Sequence, residues 1–368
     1  MTALNPRIVT PFDMGALKLK NRMALAPMTR VSASESGNAT PAMARYYERF
    51  ARGGFGLVIT EGIYTDRQYA QGYLNQPGIT DSEQAQAWRA VVEAIHRHES
   101  AAIAQIMHAG ALSQANRFVD QSAGPSAIRP KGEQMKFYHG AGAYRVPRAM
   151  SDEAIADAIE GFAQAAERAV EIAGFDGVEI HGANGYLLDQ FMTDYSNQRD
   201  DRWGGDVRQR LSLTLEVIAA VKKVVGHSPV GVRISQGKVN DFEHTWAGGA
   251  VDAQAIFGSL SDAGVDFIHV TEHQAWQPAF IGNEASLVTL ARRYAPDVAL
   301  IANGGVQDAP TVERTLQAGA DIIAVGKAAL ANPDLVQRLI EGRAPEPFEP
   351  SLLAPIAHIK DSELNQAQ

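Results

Sequence analysis

Short apolar runs alternate along the chain with longer stretches in which apolar residues recur every three or four positions. The runs read as buried strands and the longer stretches as amphipathic helices. The runs fall at 23–27, 56–60, 102–107, 177–181, 230–235, 267–271, 299–303 and 322–326. The clearest helix is 152–173: Ser151 is suited to cap its start, Ile155, Ile159, Phe162, Ala166 and Val170 form one stripe, and Gly174 stops it. Similar stripes run through 82–98 (Ala85, Trp88, Val92, Ile95) and 207–225 (Leu211, Leu215, Ile218, Val221). Strand–helix alternation predicts a parallel α/β sheet, and eight repeats predict that it closes as a (β/α)8 TIM barrel, one domain spanning 1–368.

Two stretches break the rhythm. Residues 108–150, after the third strand, are rich in Gly, Pro and aromatics. A loop of that length leaving the carboxyl end of a barrel strand is expected to serve the active site, here as a lid. From Arg343 onward, Pro345, Pro347, Pro350 and Pro355 mark a C-terminal extension, 343–368, which the sequence leaves open as an extended arm or a packed segment.

Composition narrows the chemistry. The chain has no cysteine, which excludes disulfides, thiolate metal sites, Cys-ligated iron–sulfur clusters and a cysteine nucleophile. Its formal charge of -9, with no dense Lys/Arg block, argues against nucleic acid and anionic membrane as partners. No apolar run approaches the roughly 20 residues of a membrane span, and the opening residues lack the layout of a signal peptide. A soluble, cytoplasmic protein is expected.

Polar residues gather at the carboxyl ends of the predicted strands: Thr29, Glu61, Gln105, His108, His181, Asn184, Arg233, His269, Glu272, Asn303 and Lys327. Arg233 lies within an apolar strand, where a charge needs either an anionic ligand or a buried acidic partner. Gln105 can read a ring edge that carries both a donor and an acceptor, or simply satisfy its neighbours. Asn303-Gly304-Gly305 and Gly326-Lys327 end the seventh and eighth strands, where barrels often bind phosphate through backbone N–H groups and a cation.

The stretch from Val178 to Asp189 is the most informative. An apolar run ends in His181-Gly182-Ala183-Asn184-Gly185-Tyr186, which sets an imidazole and an amide beside a phenol on one turn. These groups suit an oxygen-binding pair with a proton donor. No HExxH spacing supports a metal, and no GxSxG elbow supports a serine hydrolase.

Taken together, Lys20-Asn21-Arg22-Met23-Ala24-Leu25-Ala26-Pro27-Met28-Thr29-Arg30, Thr60-Glu61-Gly62, Gln105, the run from His181 to Gln190, Asp201-Arg202-Trp203-Gly204-Gly205, Val232-Arg233-Ile234-Ser235, Asn303-Gly304-Gly305 and Gly326-Lys327 through Asp334 resemble the Old Yellow Enzyme family of FMN-dependent ene-reductases. The resemblance runs from about residue 7 to residue 341. It implies FMN bound at the carboxyl face of the barrel, with NADPH or NADH as hydride donor. By the same resemblance, Pro27, Met28 and Thr29 lie along the flavin, with the Thr29 hydroxyl near O4. Gly62, Gln105 and Arg233 contact the ring, while Gly304, Gly305, Gly326 and Lys327, with Asn303 preceding them, form the phosphate end. His181 and Asn184 bind the carbonyl or nitro oxygen of an electron-poor alkene, and Tyr186 protonates its α-carbon.

Several positions depart from the family pattern. Met107 stands where many relatives have Trp, and Lys327 where many have Arg. The first changes the substrate pocket wall; the second keeps a cation but loses the bidentate fork. Tyr73 matches a pocket tyrosine of some members. Two other readings stay open at this stage: a barrel lyase or isomerase acting on a phosphorylated substrate, and a non-catalytic FMN-binding protein. The physiological substrate, the preferred nucleotide and the oligomeric state are not specified by these residues.

Overall fold

The computed structural model describes residues 5–365. Its centre is a closed barrel of eight parallel strands: β1 (Met23–Leu25), β2 (Leu57–Ile59), β3 (Ala101–Met107), β4 (Gly177–His181), β5 (Val230–Ile234), β6 (Phe267–Thr271), β7 (Ala299–Asn303) and β8 (Ile322–Val325). Neighbours pair in sequence order, and β8 returns to β1 through Ile323↔Met23, Ala324↔Ala24 and Val325↔Leu25. All eight predicted strands are present, within a residue or two at their ends. A further pair, Ile63–Tyr64, lies along the end of β3 and extends the path of β2.

The helices α1 (Pro41–Arg52), α2 (Ser82–His96), α3 (Asp152–Arg168), α4 (Ser212–Val224), α5 (Ala250–Asp262), α6 (Leu287–Tyr294), α7 (Ala309–Gln317) and α8 (Leu335–Ile340) follow the eight strands in turn. Ser151 caps α3 by accepting from Ala154 N at 3.2 Å. The helix then widens into a π-turn over Ala169–Ala173 and stops at Gly174, whose φ of +85° is the left-handed stop glycine provides without strain. The helix expected over 207–225 is kinked: a first turn, Val207–Arg210, carries its own capping box from Asp206 and Gln209, and α4 restarts after Leu211.

Inside the barrel the lower layers are apolar. Ala24, Leu57, Ile59, Ala101, Ile103, Phe267, Ile301, Ile322 and Ala324 form one cluster with Met14 and Leu19. Those last two come from a hairpin, Phe12–Met14 with Leu17–Leu19, that the hydrophobic pattern did not reveal. It stoppers the amino-terminal mouth of the barrel.

The 108–150 segment carries only short structure: 3-10 turns at Gly110–Leu112 and Lys136–Tyr138 and a two-residue parallel ladder, Ala123–Gly124 with Arg148–Ala149. The C-terminal extension is packed rather than free. Glu363 accepts from Arg30 Nη1 at 2.9 Å and forms an ion pair with Arg49 at 3.0 Å, while Ala357 N donates to Phe137 O at 2.9 Å. Among the described residues no helix is long and apolar enough to cross a membrane.

Candidate active site

Above the apolar layers the barrel interior turns polar. Register sets the arrangement: Gln105 of β3 lies beside Glu179 of β4, and Arg233 of β5 pairs with His181 on one side and His269 on the other. Each is buried. Gln105 Nε2 donates to Glu179 Oε1 at 2.7 Å, and His269 Nδ1 lies 2.7 Å from Glu179 Oε2. Burial works against ionisation of Glu179, yet His269, Arg233 and Gln105 outweigh it and hold the carboxyl below its usual range. Burial also lowers the His269 pKa, so we assign a neutral imidazole donating Nδ1–H to the carboxylate.

Arg233 makes no ion pair among the described residues. Its Nη2 donates to Thr271 Oγ1 and to Asn303 Oδ1, both at 3.1 Å, and its Nε is buried without a partner. The buried acid–base pair left open by the sequence is therefore not formed as a contact. Asn303 is held on both sides: Oδ1 also accepts from Thr271 at 2.9 Å, and Nδ2 donates to Ala324 O at 3.0 Å. It tethers Arg233 to β6 and β8.

The turn after β4 is held from three sides. Asn184 adopts φ +63°, its N–H donates to Ser235 Oγ at 2.9 Å, and its carbonyl accepts from Val239 N at 3.1 Å. Gly185 N donates to Asp189 Oδ2 at 2.6 Å, and Asp189 is itself paired with the buried Lys238 at 2.7 Å. Ala183 N points to His181 Nδ1 at 3.4 Å, so Nδ1 is the acceptor nitrogen and Nε2 carries the proton. Burial, reinforced by Arg233, pushes the His181 pKa well below its ordinary value, so the ring is a neutral donor. Tyr186 packs edge-on against it with centroids 4.9 Å apart, and burial pushes its phenol up to about 12.

Tyr186 belongs to a cluster with Tyr73, Met107, Leu112 and Tyr144, against which Met135 and Tyr138 also pack. The Tyr73 and Tyr186 hydroxyls are hydrogen-bonded. Tyr138, from the 108–150 segment, packs against Tyr73 with the rings tilted at 49° and their centroids 4.6 Å apart, and donates its hydroxyl to Thr29 O at 3.2 Å. Met107 fills the space a side chain at Gly62 would need: a Cβ there would come within 2.4 Å of its sulfur.

Beside this lies a cavity of about 810 Å³, lined by Pro27, Met28, Asn303, Gly304, Gly305, Gly326 and Lys327 together with the 272–274 loop and residues 345–348. Gly304 and Gly305 have φ of +139° and +71°, and a Cβ on Gly304 would sit 2.0 Å from Glu272 O, so the turn demands glycine. Lys327 is exposed at the first turn of a short helix, Lys327–Ala331, and makes no hydrogen bond or ion pair among the described residues. A volume of this size takes a cofactor rather than a single small anion.

The sequence pattern of the family described as NADH:flavin oxidoreductase / NADH oxidase matches residues 7–346. The chain belongs to that family. It is 34% identical over 339 residues to 12-oxophytodienoate reductase 2 of Arabidopsis thaliana, covering 90% of this chain and 87% of that protein. It is 33% identical over 347 residues to a probable flavin mononucleotide-dependent alkene reductase of Leishmania infantum, covering 91% and 90%. The old yellow enzyme homologue from Zymomonas mobilis superposes with a TM-score of 0.86 at 28% identity, covering 99% of this chain and all of that one. As a member of the NADH:flavin oxidoreductase family, the protein is an NAD(P)H-dependent flavin oxidoreductase of the ene-reductase type, built on a TIM barrel.

Against that identity, the structure gathers the predicted site residues at one end of the barrel in two neighbouring groups. Pro27, Met28, Asn303, Gly304, Gly305, Gly326 and Lys327 line the cavity, and His181, Tyr186, Tyr73 and Met107 meet in the aromatic pocket. Three features of this oxidoreductase escaped the sequence reading: Glu179 beside Gln105, Tyr138 and Tyr144 from the 108–150 segment, and residues 345–348 at the cavity edge. Glu179 carried one usable signal, a charge inside the run Gly177-Val178-Glu179-Ile180.

Proposed function

We propose that the protein reduces activated C=C bonds of α,β-unsaturated carbonyl or nitro compounds, using NAD(P)H and FMN held at the carboxyl end of the barrel. The observation that carries this reading is the protonation pattern at the β4 turn: His181 Nδ1 accepts a backbone N–H, leaving Nε2–H as a donor beside the protonated Tyr186 phenol.

The residues fit FMN. Arg233 Nε is a buried cationic donor with no protein acceptor, and burial already lowers the guanidinium's pKa, so an anionic ring edge offers the partner it lacks. Pro27, Met28, Thr29, Gly62, Gln105 and Arg233 would hold the ring. Gly304, Gly305, Gly326 and Lys327 would hold the phosphate, and Asn303 would act by fixing Arg233. When bound, FMN supplies the hydride exchange between NAD(P)H and the β-carbon of the alkene.

The chain's own groups supply the rest. His181 Nε2–H and the Asn184 amide would grip the substrate oxygen and steady the charge that grows there. A neutral imidazole suits this task, since it donates without competing for the proton. Tyr186 keeps its proton throughout the physiological range and would deliver it to the α-carbon. The 108–150 segment would serve as a lid, with Tyr138 packed on Tyr73 and bonded to the Thr29 backbone.

Purified protein should be yellow, bleach under anaerobic NAD(P)H, and regain colour with a cyclic enone or nitroalkene. Protein that takes up no FMN would refute the proposal. Tyr186→Phe should slow reoxidation by the alkene roughly 10²–10⁴-fold while leaving bleaching by NAD(P)H intact.

A further inference from the structure

Glu179 lies in the polar floor, and both of its oxygens are engaged. Oε1 accepts from Gln105 Nε2 and Oε2 from His269 Nδ1, each at 2.7 Å, and all three side chains are at most 2% exposed. An ionised carboxylate accepts hydrogen bonds and donates none, so the end of Gln105 that faces it must be the NH2. The Gln105 carbonyl oxygen and its second N–H make no hydrogen bond among the described residues. The neighbouring strand carries Gly231 opposite Glu179. The Phe267 ring occupies the space a side chain there would use, 2.2 Å from a Cβ on Gly231. Water is thereby kept from the carboxylate, which strengthens both bonds.

We infer that Glu179 is a positioning residue for the cofactor: it locks the Gln105 amide in the one orientation that leaves a carbonyl acceptor and a single N–H donor free for the ring edge of FMN. This rests on the FMN reading above. An unrestrained side-chain amide can turn over and exchange its donor for its acceptor, and a neutral glutamine at position 179 would tolerate either arrangement. A carboxylate tolerates only one. His269 completes the device by donating to the other oxygen and fixing the plane of the carboxylate.

The test is FMN affinity, measured by recovery of flavin fluorescence on titrating flavin-free protein, for the wild type, E179Q, Q105A and the double variant. E179Q should weaken FMN roughly 10- to 100-fold, the loss expected when a charge-assisted hydrogen bond no longer holds its partner. In the Q105A background the same change should cost less than about twofold, because its effect passes through Gln105. Unchanged affinity in E179Q, or a loss that adds in full to that of Q105A, overturns the inference while leaving FMN binding itself intact. A wild type that binds no FMN overturns both. If E179Q does not fold, the flavin-free wild type decides the matter by NMR: one Gln105 side-chain N–H proton should be shifted downfield and protected from exchange, and two equivalent, freely exchanging protons would overturn the inference.

Discussion

The Tyr73 hydroxyl is hydrogen-bonded to the Tyr186 hydroxyl inside a buried cluster, so the proposed proton donor is one of a coupled pair of phenols. Burial raises the Tyr186 pKa, while the bond to Tyr73 and the charge on Arg233 pull it back. For Tyr186 to offer its own proton to a substrate, Tyr73 must donate to Tyr186, and that same bond then steadies the phenolate left behind. Tyr73→Phe should therefore slow alkene reduction about tenfold, the worth of one such hydrogen bond, with flavin reduction by NAD(P)H unchanged. Stopped-flow measurement of the two half-reactions checks this. Equal slowing of both would place Tyr73 on the flavin or nucleotide side instead.

Glu61 gives a stability prediction with a definite sign. It accepts from Arg30 N at 2.9 Å and from Tyr47 OH at 3.3 Å, but full burial lifts its pKa from 4.5 to about 7. Between those values the folded chain holds a proton the unfolded chain has lost. This group's contribution is thus complete below about pH 4.5, falls as pH rises through the window, and levels off above about pH 7. The penalty on the ionised form is on the order of 3 kcal/mol. Glu61→Gln should raise the denaturation midpoint at pH 8 and make little difference near pH 4.5. A variant less stable than the wild type at pH 8 would contradict this.

Arg30 and Glu363 make a second testable pair. Arg30 is fully buried and is satisfied by the tail: its guanidinium meets both Glu363 oxygens, Nε donates to Ala357 O at 2.9 Å, and Nη2 to His358 O at 3.1 Å. Glu363→Ala would leave two buried cations, Arg30 and Arg49, short of their counter-charge, a loss of about 3–5 kcal/mol in urea unfolding. Arg30 follows Thr29 directly, so FMN retention should fall as well. The triple change Arg30→Met and Arg49→Met with Glu363→Leu should recover much of the stability, since an apolar set needs no charge balance.

What could be read from the sequence divides along physical lines. The barrel strands were legible because each is a local apolar run, and His181, Asn184, Arg233 and Gln105 stood out because polar groups interrupt or end those runs. Glu179 stood in the same kind of run but finds its partners 74 and 90 residues away, on β3 and β6, which no local periodicity along the sequence links to it. Glu363 is a still longer case, 333 residues from Arg30, in a proline-rich tail without a helical or strand period to announce a contact. The hairpin over Phe12–Met14 and Leu17–Leu19 was hidden by brevity, since three-residue strands are too short for periodicity to register.

That hairpin has a further consequence. With Met14 and Leu19 sealing the lower mouth and the layers above them apolar and buried, the barrel is a well with one opening rather than a tube. Whatever reaches Arg233 and His181 must enter and leave over the same rim, past Tyr138. On the proposed function, a nicotinamide and an alkene would have to take turns in the same chamber, and an excess of either one would hold the door against the other.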